Sequence, residues 1–170
     1  MLANKKNIIL IGMPGAGKST VGVVLAKRLG MRFVDSDLVI QERTQRLLQQ
    51  ILMEDGLQEF IRIEDEVNES LILVNTVLAT GGSAVYGLNA MQSLKEQGTV
   101  IYLKLPFETI EHRVGDLRGR GVAMKPGQTL KELYDERAPL YERYADIVCP
   151  CEDKEIREIV DMIAKSLEIV

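Results

Sequence analysis

Short aliphatic and β-branched runs alternate along the chain with longer stretches whose apolar residues recur every three or four positions. The runs Ile8 to Ile11, Arg32 to Asp35, Thr76 to Ala79, Thr99 to Leu103 and Asp146 to Cys149 have the length and composition of strands. Amphipathic stretches at Lys18 to Leu29, Leu38 to Leu48, Gln58 to Val74, Asn89 to Gln97, Phe107 to Val114, Leu130 to Ala145 and Lys154 to Leu167 predict helices. In the last of these, Ile156, Ile159, Val160, Ile163 and Leu167 form a single core-facing stripe. Alternating βα units stack into a parallel sheet, so the pattern predicts an α/β fold with a five-stranded parallel sheet flanked by helices. One segment breaks the rhythm: Gly115 to Gly127 holds four glycines, one proline and three basic residues without a period, and reads as a mobile loop.

Composition narrows the class. A chain of 170 residues with 46% hydrophobic residues suits one domain over 1–170, with neither a repeat nor a low-complexity linker to divide it. Its 25 acidic against 21 basic residues leave a formal charge of -4, which gives no broad attraction for nucleic acid or an anionic membrane. Four apolar residues after the N-terminal segment are too few for a secretory signal, and no later run has the length of a membrane span. Cys149 and Cys151 flank Pro150, too close in sequence for an easy unstrained bridge. The expectation is a soluble cytoplasmic monomer with reduced thiols, and no nucleic acid or membrane partner.

Candidate chemistry begins with Gly12-Met13-Pro14-Gly15-Ala16-Gly17-Lys18-Ser19, which fits G-x-x-x-x-G-K-[ST] between a predicted strand and a predicted helix. Glycines let the backbone wrap closely, so that successive N–H groups and the helix N-terminus face an anion. Residues Gly15 to Thr20 would cradle the phosphates of ATP, with Lys18 on the β and γ groups and the Ser19 hydroxyl on Mg²⁺. A GTPase would need base-reading motifs. The only D-x-x-G, Asp116 to Gly119, lies in the irregular loop, and N-K-x-D is absent. A small-molecule kinase needs instead an acceptor pocket and a basic lid, which Arg118 and Arg120 can supply. Asp35 and Asp37 follow the second predicted strand, at the carboxyl edge where such sheets bind ligands. If the strand conformation persists they share a side; one would serve Mg²⁺ and the other accept a proton from the acceptor hydroxyl. Asp37 would equally cap a helix beginning at Leu38, and spacing alone leaves both readings open.

These residues resemble the shikimate kinase family. The resemblance runs from the Gly12 loop through Asp35-Ser-Asp37, Gly56…Phe60…Glu64, Ala79-Thr-Gly81-Gly82, Gly98 to Leu103 and Glu136-Arg137-Ala-Pro-Leu-Tyr141 to Asp146. It implies a three-layer P-loop kinase fold, an acceptor region at about 37–65 and a lid at about 115–127. By resemblance Lys18, Asp37 and Arg120 are catalytic, Arg113 and Arg120 contact the nucleotide, and Ser19 and Asp35 serve Mg²⁺. Gly81, Gly82 and Arg137 would bind the acceptor, Arg137 through a carboxylate. Without the resemblance, Arg113 reads as a solvated helix charge, the two glycines as a turn and Arg137 as an ion-pair partner. Four positions depart from the family pattern. Ile61 stands where a second carboxylate-binding arginine is found, Ser83 replaces a third glycine, Gly121 a proline and Leu57 a glutamate. Arg62, turned by roughly 100° from Ile61 around a helix, is the remaining basic candidate there. The expected reaction is phosphorylation of a shikimate hydroxyl by ATP. The alternatives are the same transfer to another small hydroxylated metabolite, or a nucleotide-binding regulatory module without transfer.

Overall fold

The structure is a computed structural model and describes residues 7–115 and 121–168. Five strands, β1 (Asn7–Ile11), β2 (Arg32–Asp35), β3 (Thr76–Ala79), β4 (Gly98–Lys104) and β5 (Ile147–Pro150), form one parallel sheet in the order β2-β3-β1-β4-β5. Ile9 is in register with Leu78 on one side and Val100 on the other. Ile8 to Ile11, Val77, Leu78 and Val100 to Leu103 are all buried. A parallel sheet covered on both faces requires such continuous apolar runs, which is why the strands carry no polar alternation.

Among the described residues, seven α-helices flank the sheet: α1 (Lys18–Leu29), α2 (Ser36–Thr44), α3 (Leu48–Glu69), α4 (Leu88–Gln97), α5 (Phe107–Val114), α6 (Leu130–Tyr144) and α7 (Ile156–Glu168). Helix α1 packs on β1, β2 and β3 and lies against α7, which packs on β5, while α4 and α6 pack on β4 and α3 lies against α4. No helix among the described residues is long and apolar enough to cross a membrane.

Two helices differ in their boundaries from the sequence expectation. The helix expected from Leu38 to Leu48 starts at Ser36 and stops at Thr44, where Gln45 turns left-handed at φ 54°. The chain then re-enters α3 ten residues before the predicted start, and Gly56, at φ 85° and ψ 174°, breaks that helix between two segments. The expected run to Val74 ends at Glu69. Leu71 and Leu73 are buried while Ile72 and Val74 are exposed, a period of two rather than 3.6. Gln97 fixes this extended stretch, donating Nε2 to the Leu71 carbonyl (2.9 Å) and accepting from the Leu73 N–H at Oε1 (2.8 Å).

Asn7 secures the opposite end of the sheet from the site. Its Nδ2 donates to the carbonyls of Leu73 (3.0 Å) and Gln97 (2.9 Å), and its Oδ1 accepts from the Thr76 N–H (2.9 Å). Asn7→Ala leaves these buried backbone groups unpaired and is expected to cost about 2–4 kcal/mol of stability. Urea unfolding checks this, with the midpoint falling and the slope unchanged.

Candidate active site

Strand β1 delivers the chain to the Gly12–Gly17 loop, which turns through left-handed Gly15 (φ 80°) and Gly17 (φ 89°) before α1 begins at Lys18. A side chain at either glycine would be strained in that region. Lys18 is buried, and its Nζ donates to the carbonyls of Gly12 (2.6 Å) and Met13 (2.8 Å). Burial pushes its ammonium down to about 8, against the opposing charge of Asp37. Ser19 and Thr20 are exposed on the first turn of α1. The Ser19 hydroxyl donates to Asp35 Oδ2 at 2.8 Å.

Asp35 ends β2, and its Oδ1 accepts from the Asp37 N–H at 3.0 Å. Asp35 is therefore the cap of α2. Asp37 enters from the first helical turn rather than by strand alternation, its carboxylate free of a capping role. Burial raises Asp37 to about 6, the charge of Asp35 adds to the rise and Lys18 opposes it.

The turn after β3 brings two further groups to Asp37. A Cβ on Gly81 would lie 2.7 Å from Asp37 Oδ1 and 2.8 Å from Glu64 Oε2, so a bare backbone is what lets the two carboxylates approach. Glu64, on α3, accepts from the Ser83 hydroxyl at Oε1 (2.6 Å), while its buried Oε2 has no hydrogen-bond partner among the described residues. Burial pushes Glu64 up to about 7; the Ser83 hydrogen bond opposes the rise and the charge of Asp37 adds to it. On α6, Arg137 is 1% exposed. Its Nε donates to the Tyr86 hydroxyl (3.3 Å), its Nη2 to the Ala123 carbonyl, and its Nη1 lies 2.9 Å from where a Cβ on Gly82 would stand.

These groups surround a cavity of about 310 Å³. Lys18, Ser19, Asp37, Gly81, Gly82 and Arg137 form its polar wall, and Leu48, Phe60, Val122 and Ala123 its apolar one. A phosphate cradle, a buried carboxylate and a buried guanidinium thus face one space, as phosphoryl transfer to an anionic acceptor requires.

The model of the shikimate kinase family matches residues 14–168. The chain belongs to the shikimate kinase family. It is 38% identical to the shikimate kinase of Vibrio parahaemolyticus over 98% of this chain and 99% of that protein. It is 39% identical to that of Haemophilus influenzae, over 95% and 94%. Among solved structures, the shikimate kinase of Acinetobacter baumannii in complex with shikimate superposes with a TM-score of 0.86 at 33% identity, covering 96% of this chain and 93% of that one. A deoxyadenosine kinase from M. mycoides, at 14% identity and a TM-score of 0.62, shares the fold.

Within this shikimate kinase site, Gly15, Gly17, Lys18, Ser19, Thr20, Asp37, Gly81, Gly82 and Arg137 line the cavity. Ala16 is buried beneath the loop. Arg113 sits at the end of α5 with Nη1 3.4 Å from the Gly15 carbonyl, and its charge bears on Cys151 in the turn after β5. Arg120 lies outside the described residues. Arg62 is not brought to the cavity: it is exposed and held by Glu59 (2.6 and 2.9 Å) and Glu66 on the outer face of α3. Ile61 packs against the cluster around Ile40, Ile51 and Phe60, so that turn of α3 offers the pocket no cation. The thiols of Cys149 and Cys151 are free and buried, with their sulfurs 4.0 Å apart.

Glu64 and its Ser83 partner received no role from the sequence. A signal existed: Glu64 and Asn68 lie one turn apart on the same face as Phe60 and Val67, polar positions on an otherwise apolar stripe.

The raised position of Glu64 has a sign that can be measured. The folded state binds this proton more tightly than the unfolded chain, so Glu64's stabilising contribution is complete below about pH 4.5 and is lost as pH rises through about 7. Glu64→Gln does not titrate. Its unfolding free energy relative to the unsubstituted protein is expected to rise between pH 5 and pH 8, by an amount on the order of 2 kcal/mol. A difference that stays flat or falls over that range contradicts the assignment.

Proposed function

We propose that the protein transfers the γ-phosphoryl group of ATP to a hydroxyl of shikimate, giving shikimate 3-phosphate and ADP. The observation that carries this reading is the meeting of Lys18, Asp37 and Arg137 around one cavity in a member of this family. Arg137 is a buried cation whose direct partners, the Tyr86 hydroxyl and the Ala123 carbonyl, are neutral. An acceptor carboxylate supplies an anion in direct contact, which neither neutral partner gives. Asp37 then orients the acceptor hydroxyl and takes its proton as the oxygen bonds to the γ phosphorus and the bond to the bridging oxygen breaks, releasing ADP. Lys18 exchanges its loop carbonyls for phosphate oxygens and balances the moving charge.

Ser19 and Asp35 fit a magnesium ion: a hydroxyl and a carboxylate oxygen 2.8 Å apart at the mouth of the loop are hard donors of the kind the ion uses beside phosphates. When bound, it neutralises the phosphate oxygens. A second acceptor is favoured by one observation, the aliphatic Ile61 packed where the family pattern has a cation. In that reading the transfer is the same and the metabolite differs.

Coupled ADP release over a panel of hydroxy acids and polyols decides between the two. Release stimulated by shikimate supports the first reading; release only with another acceptor supports the second; no acceptor-stimulated release overturns both. Asp37→Asn is expected to lower kcat by about 10²- to 10⁴-fold while ATP affinity holds. Collapse of ATP affinity instead would place Asp37 on the nucleotide.

A further inference from the structure

Arg137 is gripped at Nε and Nη2 by groups that converge on one segment. Tyr86 closes the short 3₁₀ turn Ala84–Tyr86, with its ring centroid 5.3 Å from Arg137 Cζ and its hydroxyl accepting from Nε at 3.3 Å. That hydroxyl donates in turn to Glu136 Oε1 at 3.1 Å, and Glu136 Oε2 accepts from Gln128 Nε2 at 2.6 Å. Gln128 closes a tight turn, its Oε1 accepting from the Lys125 N–H and its own N–H donating to the Lys125 carbonyl, both at 3.1 Å. Lys125 Nζ stands 3.8 Å from Glu136 Oε1. The other end of the fork, Nη2, donates to the Ala123 carbonyl.

The contacts form a closed ring: Arg137 to Ala123, along the chain to Gln128, across to Glu136, through Tyr86 and back to Arg137. Gln128 and Glu136 are half-buried, where a solitary polar pair contributes little. Linked in a ring, the bonds polarise one another and share the entropy of ordering. The same ring fixes the guanidinium plane and leaves Nη1 as the end facing Gly82 and the cavity. It also holds Val122 and Ala123, which line the cavity beside it.

We propose that Tyr86, Glu136 and Gln128 are positioning residues of the acceptor site, which clamp the guanidinium of Arg137 and the 121–128 segment into one unit that grips the acceptor's anionic group. The inference rests on the reading of Arg137 as the acceptor's carboxylate partner. A planar fork held in advance loses less freedom when it binds a carboxylate. The clamp therefore acts on acceptor affinity and leaves the nucleotide half alone.

Tyr86→Phe keeps the ring over Arg137 and deletes the hydroxyl; Gln128→Ala cuts the ring at its far side and serves if the first variant does not fold. In steady-state assays with shikimate and ATP varied separately, each is expected to raise the acceptor KM about tenfold, with kcat and the ATP KM within about twofold. In the unliganded protein, amide hydrogen exchange over residues 121–129 is expected to accelerate in both. An unchanged acceptor KM, an ATP KM that rises in step with it, or unchanged exchange overturns the proposal. If the unsubstituted protein turns over no acceptor, the proposed function fails. Exchange alone then decides the clamp, faster exchange upholding the tie and unchanged exchange removing it.

Discussion

The buried ammonium of Lys18 sets the terms for the whole site. A desolvated cation costs several kcal/mol unless fixed dipoles and opposite charges surround it. The loop supplies the dipoles through the Gly12 and Met13 carbonyls, and the charges arrive from elsewhere in the fold. Asp35 and Asp37 come from the junction of β2 and α2, and Glu64 from α3. Arg137, from α6, adds a second buried cation. Parallel strand order brings these distant elements to one edge, because every carboxyl end points the same way and β3, which carries Gly81, lies between β1 and β2. Burial drives Lys18 down and Asp37 and Glu64 up; opposite charges limit the displacement, as Asp37 does at Lys18 and Lys18 at Asp37, while like charges add to it, as Arg137 does at Lys18, Asp35 at Asp37 and Asp37 at Glu64.

Close approach is the second condition, and bare backbone meets it. At Gly81 and Gly82 a methyl group would press on Asp37, Glu64 and Arg137, so charged ends come within reach of one another where side chains would keep them apart. Ser83 follows as the first residue with a side chain, and its hydroxyl goes to Glu64. A turn of three residues thereby sets the spacing of three charged groups from three helices.

The phosphate half was legible because it is local: strand, glycine loop and helix occupy one continuous stretch, and the Gly12–Ser19 spacing encodes their geometry. The sheet was legible because strands buried on both faces are written as unbroken aliphatic runs. The acceptor half was less so, since it depends on directions that only packing sets. The approach of Asp37 from a helical turn hinges on Asp35 capping α2. Arg62 and Ile61 are adjacent in sequence, but Glu59 and Glu66 on the outer face hold the arginine while the apolar cluster takes the isoleucine. The break at Gly56 and the left-handed Gln45 made one helix two segments and moved the boundaries with them.

Ile61 lies on the turn of α3 that precedes Glu64 and packs into the apolar cluster around Ile40, Ile51 and Phe60, while Ser83 bonds the Glu64 carboxyl. With an aliphatic residue on that turn of α3, Glu64 finds a hydroxyl at Oε1 and, among the described residues, no hydrogen-bond partner at Oε2. A neutral donor compensates a buried carboxylate less than a guanidinium does, which is consistent with burial outweighing the hydrogen bond at Glu64. Among the described residues lining the cavity away from the phosphate loop, Arg137 is the guanidinium. Binding through a single fork, as proposed for Arg137, has little tolerance for misalignment, because no second group corrects its angle. The density of contacts around Arg137, on its ring face, its Nε and its Nη2, is the structural counterpart of that demand.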